Sequence, residues 1–322
     1  MNFRSPSRRE LMVGLAGVLA APAFAQSDKV IRVILPNATG SGVDAIVRAA
    51  QAALSKALGH PLVIDNQPGA GGIVGLQALA RSPADGYSLG VVSNNVVIFP
   101  SVYKTLPFDM PGDFTPIAVV GYTPVVLVVN AKVPAASAKE LIALLKAKGG
   151  EMNFASGGNG TILHLATEMF LDEAGVKARH IPYKGVGPML TDLIGGQVDF
   201  ATAALPSVQP HLKSGALRAI GVATAQRVAA APEIPTFVEQ GLPNYTIDAW
   251  FGVIAPKGLP VAEVQRVHAA LETAFADPAV VESMAKQGNV IAIGPADKAM
   301  PFFRSEMARY AKLVKKAGVE LQ

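Results

Sequence analysis

From about residue 27 onward, short apolar runs alternate with amphipathic stretches, and Gly or Pro marks nearly every junction. Val30 to Leu35 reads as a buried strand, and Val43 to Leu58 carries apolar residues at 43, 46, 47, 50, 54 and 58, the spacing of one helix face. Gly59 supplies the helix stop. Leu62 to Ile64 is the next strand, and a strand–helix–strand connection of this kind is a right-handed crossover between parallel neighbours. The device recurs with a strand at Met152 to Ala155, a loop at Ser156 to Gly160, a helix at Thr161 to Ala174 and a stop at Gly175. A weaker copy runs through His180 to Tyr183, a loop at Lys184 to Pro188, a helix at Met189 to Ile194, and Gly195-Gly196. The rhythm predicts an α/β protein, and the absence of a fixed period argues against a solenoid.

Two further runs, Thr123 to Asn130 and Tyr245 to Ala255, are apolar and rich in strand formers, each closed by a Pro-containing loop. They read as strands crossing between two lobes, with residues 26–125 and 250–322 in one and 126–249 in the other. The terminal stretches Val261 to Phe275, Ala279 to Gln287 and Lys298 to Ala317 are helical by pattern and are expected to pack on the first lobe.

Composition narrows the picture. Half of the 322 residues are hydrophobic and only 16% are charged, enough apolar material for two packed lobes. Several positive charges lie near the N-terminus, so the rest is close to balanced and carries no nucleic-acid footprint. Arg4, Arg8 and Arg9, the apolar stretch Leu11 to Ala21, and Ala23-Phe24-Ala25 read as an export signal spanning 1–25, which places the mature chain, from Gln26, in the periplasm. Ser7-Arg8-Arg9-Glu10-Leu11-Met12 looks like a twin-arginine signal, with a Sec signal as the alternative. The apolar stretch is short of the roughly 20 residues that span a bilayer. There is no cysteine, hence no disulfide, thiolate nucleophile or Cys-ligated metal.

Each lobe offers a strand, a Gly-rich loop and a helix start: Pro36 to Asp44 in the first, Ser156 to Thr161 in the second. Glycines let the backbone approach a ligand, and the free N–H groups and dipole of a helix start favour negative charge. Each charge-assisted hydrogen bond contributes roughly 1.5–3 kcal/mol, so a few donors per lobe reach micromolar binding, near about −8 kcal/mol. A nucleotide site fits poorly: Gly40-Ser41-Gly42 lacks the third glycine of the dinucleotide pattern, and there is no Gly-Lys-Ser/Thr phosphate loop. No Gly-x-Ser-x-Gly elbow or His-Glu-x-x-His helix is present, His164 with Glu168 is too little for a metal, and no cofactor is expected.

Asn66-Gln67-Pro68-Gly69-Ala70-Gly71-Gly72 resembles the NRPGAGG segment of the tripartite tricarboxylate transporter receptors, the Bug family of extracytoplasmic solute receptors. The likeness continues through Ala84-Asp85-Gly86-Tyr87, Leu106-Pro107-Phe108-Asp109, His180 to Gly185, Asp192 to Asp199 and Trp250-Phe251-Gly252, and so covers essentially the whole mature chain. It implies a type II periplasmic-binding-protein fold that closes like a flytrap on a carboxylate and delivers it to a membrane permease. It also implies binding positions at Asn37, Thr39, Gly40, Ser41 and Gly42; at Ser93 and Asn94; and at Ser156, Gly158, Asn159, Gly160, Thr161 and His164.

The departures carry information too. Where the family reads Pro-Phe-Ala-Pro-Gly-Gly-Gly-Thr-Asp, this chain has Asn37 for Phe, Thr39 for Pro, Ser41 for the second Gly and Val43 for Thr, a more polar pocket. Many members carry an Asp where this chain has Ala203, and its loss argues against a ligand whose ammonium group needs a counter-ion. Asp44 reads as loop support at a helix start rather than a ligand contact. Tyr183 is expected at the cleft, Lys184 in solvent, and Trp250 near the hinge. The expectation is a monomeric, non-enzymatic receptor for a small mono- or dicarboxylate. A ligand-dependent partner of a membrane sensor kinase and a periplasmic hydrolase built on Ser156 and His164 are the alternatives.

Overall fold

The computed structural model describes residues 29–247, 249–316 and 318–319; the export-signal reading at 1–25 lies outside them. The chain begins with β1 (Ile31–Leu35), α1 (Gly42–Leu58), β2 (Leu62–Asn66), α2 (Ile73–Ala80), β3 (Ser88–Ser93), α3 (Asn95–Ile98) and β4 (Phe114–Thr123). Pro124 then breaks the ladder, and β5 (Val125–Asn130) opens a second sheet. The run read as one crossing strand is therefore two, because proline has no N–H to continue the pairing.

The second lobe continues with α4 (Ala138–Lys148), β6 (Asn153–Ser156), α5 (Ile162–Ala174), β7 (Arg179–Pro182), α6 (Val186–Gly195), β8 (Phe200–Ala204), α7 (Leu205–Lys213) and β9 (Leu217–Val222). The return strand β10 (Ala249–Pro256) rejoins the first sheet, followed by α8 (Val261–Phe275), α9 (Pro278–Gln287), β11 (Val290–Ile291) and α10 (Ala296–Lys316). The return strand starts later than its apolar run. Tyr245 is drawn into the second lobe by edge-on packing against Phe237, ring centroids 4.8 Å apart.

The first sheet has the order β11-β4-β10-β3-β1-β2 and the second β7-β6-β8-β5-β9. Within each, the βα units pair in parallel (β1 with β2 and β3; β6 with β7 and β8), as the crossover rhythm predicts. The strands next to the crossings run the other way: β10 is antiparallel to β3 and β4, and β5 to β8 and β9. Both β5 and β10 are buried at every residue, which explains their unbroken apolar runs.

Helix starts and stops follow local chemistry. Ser41 caps α1 by accepting the Asp44 N–H, and Thr161 caps α5 by accepting the His164 N–H. Gly59 and Gly175 end these helices in the left-handed region, at φ 73° and 62°. The helix α6 begins three residues before the predicted Met189, because Pro188 in its first turn costs no hydrogen bond. The terminal helix α10 packs against β4 and α3, with Phe302 and Phe303 against Trp250. Among the described residues no helix is long and apolar enough to cross a membrane.

Candidate functional site

Between the lobes lies a cavity of about 70 Å³, walled by the segments that follow β1, β3, β6 and β8. This is the crevice at the carboxyl ends of strands where open α/β sheets place their ligands. Four helix starts reach it: α1 through Gly42 and Val43, α5 through Ile162 and Leu163, α6 through Val186, and α7 through Ser207. No charged side chain stands among the described residues that line it. The polar features the helix starts bring to its wall are main-chain N–H groups and the positive ends of helix dipoles.

The donors can be assigned. Ser41 and Thr161 accept the third-position N–H of α1 and α5, and the Ile162 N–H goes to Asn95 Oδ1 at 2.8 Å. That leaves the N–H groups of Gly42, Val43 and Leu163, three residues of the cavity wall, with no acceptor within their own helices. The hydroxyls of Thr123 and Ser207 and the side-chain oxygen of Asn37 are buried without a hydrogen-bond partner, and all three residues line the cavity. Buried polar atoms rarely stay unpaired, so these three leave hydrogen-bonding capacity to spare on the cavity wall.

The loop before α1 is fixed by Asp44. Its carboxylate, 2% exposed, accepts the Gly40 N–H at 2.9 Å, the Arg48 Nε at 3.0 Å and the Asn66 Nδ2 at 3.0 Å. Burial raises its pKa, but the hydrogen bonds from Arg48, Gly40 and Asn66 outweigh that and hold the group below the ordinary carboxylate value. The side chain supports the loop and does not line the cavity.

Of the residues singled out from the sequence, Asn37, Ser41, Gly42, Ser93, Asn94 and Thr161 stand on the cavity wall. Asn94 ties elements together there: its Oδ1 accepts the Trp250 N–H at 2.9 Å and its Nδ2 donates to Tyr310 at 2.6 Å. Trp250 lines the cavity, 1% exposed, with its indole N–H on Glu306.

The remaining positions lie off the wall. Thr39 and Gly40 sit on the exposed outer side of their turn. Ser156 is wholly buried, its hydroxyl bonded to the Gly158 backbone and 2.7 Å from His180 Nε2. His164 accepts the Gly160 N–H and stacks on His180 with ring centroids 3.8 Å apart. Tyr183 turns back to its own lobe and donates to Asp192 at 2.7 Å. Burial and then the Asp192 carboxylate push its phenol up to about 12. Ala203 points into the second lobe's core while Ala204 meets the cavity, because successive strand residues face opposite ways.

Gly158, Asn159 and Gly160 do something the sequence does not reveal: they touch the other lobe. A Cβ on Gly158 would stand 3.1 Å from the Gly71 backbone, one on Gly160 would stand 2.5 Å from Val102, and the Asn159 carbonyl accepts the Tyr103 hydroxyl at 3.1 Å. Likewise a Cβ on Gly185 would come within 2.8 Å of Ala38. The two lobes are thus in direct contact around the cavity.

Two sheets joined by crossing strands, with a cavity between them, define a two-lobed binding protein of the periplasmic-binding-protein class. The family model for "Tripartite tricarboxylate transporter family receptor" matches residues 46–319, and the chain belongs to that family. The family is one of substrate-binding receptors, not of enzymes. Protein BugT of Bordetella pertussis is 35% identical over 316 residues, 97% of each chain. Among solved structures, the periplasmic binding protein BugD superposes with a TM-score of 0.87 at 30% identity, covering 91% of this chain and 99% of that one. The R. palustris protein Rpa4515, solved with adipate, gives a TM-score of 0.87 at 30% identity, covering 91% and 98%.

Proposed function

We propose that the protein is a periplasmic receptor that captures a small mono- or dicarboxylate between its lobes and delivers it to the membrane permease of a tripartite tricarboxylate transporter. The observation that carries this reading is a cavity with no charged side chain among its described lining residues, lined by first-turn residues of helices from both lobes. Neutral donors of that kind suit an anion, whose charge they stabilise at little desolvation cost to the protein. A cation would find no counter-ion there. A ligand touching both lobes favours the closed state by its differential affinity. The likeness to Rpa4515, solved with adipate, supports the carboxylate class. The export signal read at 1–25 supports the periplasmic location.

Calorimetric titration of the mature protein with a panel of mono- and dicarboxylates tests the reading. Binding in the micromolar range to at least one member is expected; a folded protein that responds to none of them overturns it.

A further inference from the structure

The loop by which the second lobe touches the first is tied to its own lobe by two histidines. The Gly160 N–H donates to His164 Nδ1 at 3.1 Å, and the Gly158 N–H donates to Ser156 Oγ, which lies 2.7 Å from His180 Nε2. The two imidazole rings are stacked with centroids 3.8 Å apart and an angle of 10° between their planes. His164 is 6% exposed. The same loop meets the first lobe: the Asn159 carbonyl accepts the Tyr103 hydroxyl at 3.1 Å, Gly160 packs against Val102, and Gly158 against Gly71.

The bond from Gly160 fixes the state of the ring. A nitrogen that accepts an N–H carries no proton, so the proton of neutral His164 sits on Nε2, 3.5 Å from Glu168 Oε1. A second proton has only Nδ1 to occupy, and there it would face the Gly160 N–H, donor against donor. Among the described residues Glu168, on α5, is the charged group in contact with His164, and its carboxylate favours a charged ring. The other elements around the pair bring no competing charge. Phe154 and Ser156 come from β6, His180 from β7, and Phe200 of β8 packs on Phe154. From the first lobe comes Tyr103, whose burial pushes its phenol up and keeps it neutral. His180 does not take the proton in place of its neighbour, because burial and then His164 push its pKa down to about 3.

We infer that His164 is a proton-operated latch on the lobe contact: the neutral ring holds the loop Gly158 to Gly160 against the first lobe, and the protonated ring releases the Gly160 N–H, so that the lobes part on acidification. The closed form requires the neutral ring while the open form accepts the proton. Closure is therefore complete at higher pH and is lost as pH falls through the range where the ring charges. Which ligand is bound does not enter, and the carboxylate-receptor reading is independent of the latch.

Small-angle scattering and amide hydrogen exchange of the ligand-free mature protein, at about pH 7.5 and about pH 5.5 on either side of the ordinary histidine range, test it. In the wild type the radius of gyration is expected to rise on acidification, and protection of the Gly160 amide to fall about tenfold, the loss of one buried hydrogen bond. His164→Asn puts a side-chain oxygen in the place of Nδ1 and does not titrate, so its radius and its Gly160 protection stay the same at both pH values. Imidazole nitrogen NMR reads the proton directly: His164 Nδ1 is bare at the higher pH and protonated at the lower. Thermal unfolding at each pH verifies that the variant folds, and the wild-type scattering and NMR stand without it. A wild-type radius that is equal at the two pH values, an expansion that His164→Asn retains, or lobes that part while His164 is still neutral overturns the latch and leaves the receptor reading intact.

Discussion

The carboxamide oxygen of Asn95, at the start of α3 in the first lobe, accepts the backbone N–H of Ile162, the first residue of α5 in the second, at 2.8 Å. This buried bond joins the lobes directly, and the Tyr103 hydroxyl on the Asn159 carbonyl adds another. A ligand therefore completes a closed form that already has contacts of its own. Asn95→Ala removes about 1 kcal/mol from that form, the net value of a typical buried hydrogen bond. Carboxylate affinity is expected to fall about fivefold, with a larger radius of gyration by small-angle scattering in the absence of ligand. An unchanged radius and affinity would show that the bond does not govern closure.

Gly42 of the first lobe lies close against Ala204 of the second: a Cβ on Gly42 would stand 2.7 Å from the Ala204 Cβ. Gly42 has no positive φ, so Gly42→Ala strains closure rather than its own helix. Overpacking of this kind predicts an affinity loss of about tenfold to a hundredfold with little change in the unliganded melting temperature. Titration alongside a thermal melt decides it.

Asp44→Asn leaves the Gly40 N–H and Arg48 without their carboxylate. Removing a buried charged acceptor predicts a stability loss of about 1–3 kcal/mol at neutral pH. The native carboxyl titrates below its unfolded value, so its stabilisation is fully present above the unfolded pKa and disappears as pH falls through the lower native one. Denaturant unfolding should show a wild-type advantage at pH 7 that narrows below about pH 4.

His180 supplies a second, separate pH window. Its ring lies between Phe154, centroids 4.7 Å apart, and His164. Burial and then the neighbouring His164 push its pKa down to about 3. The unfolded chain takes up a proton near pH 6.5 while the folded one does not, so stability declines as pH falls from about 6.5 toward 3. His180→Gln lacks this titration, and its melting temperature should drop less than that of the wild type between pH 7 and 4.5. Parallel slopes would show that the imidazole does not set this limb.

Much of the architecture could be read directly from the chain because α1 and α5 combine a capping hydroxyl, one apolar face and a terminal glycine, all local signals. The crossings were harder. Pro124 divides a run that looks continuous, and Tyr245 belongs to an aromatic cluster with Phe237 and with Phe170, which is distant in sequence. At the site, Ser41 and Gly42 follow from the loop pattern, whereas Thr123 and Ser207 do not. Thr123 sits at a strand end that spacing alone leaves undefined, and Ser207 lies in a helix whose Pro206 and Pro210 disguise its periodicity. In the other direction, the glycines at 158 and 160 read as ligand-facing because a glycine permits close approach of any neighbour. Only the fold shows that the neighbour is the opposite lobe.

The central claim is that neutral donors of both lobes, rather than a charged side chain, hold the anion. A crystal structure of the protein with its tightest-binding carboxylate measures this directly. The account predicts carboxylate oxygens accepting the Gly42 or Val43 N–H of α1 and the Leu163 N–H of α5, within about 3.2 Å, with no lysine or arginine in contact. An anion paired with a basic side chain, or held by one lobe only, would contradict it.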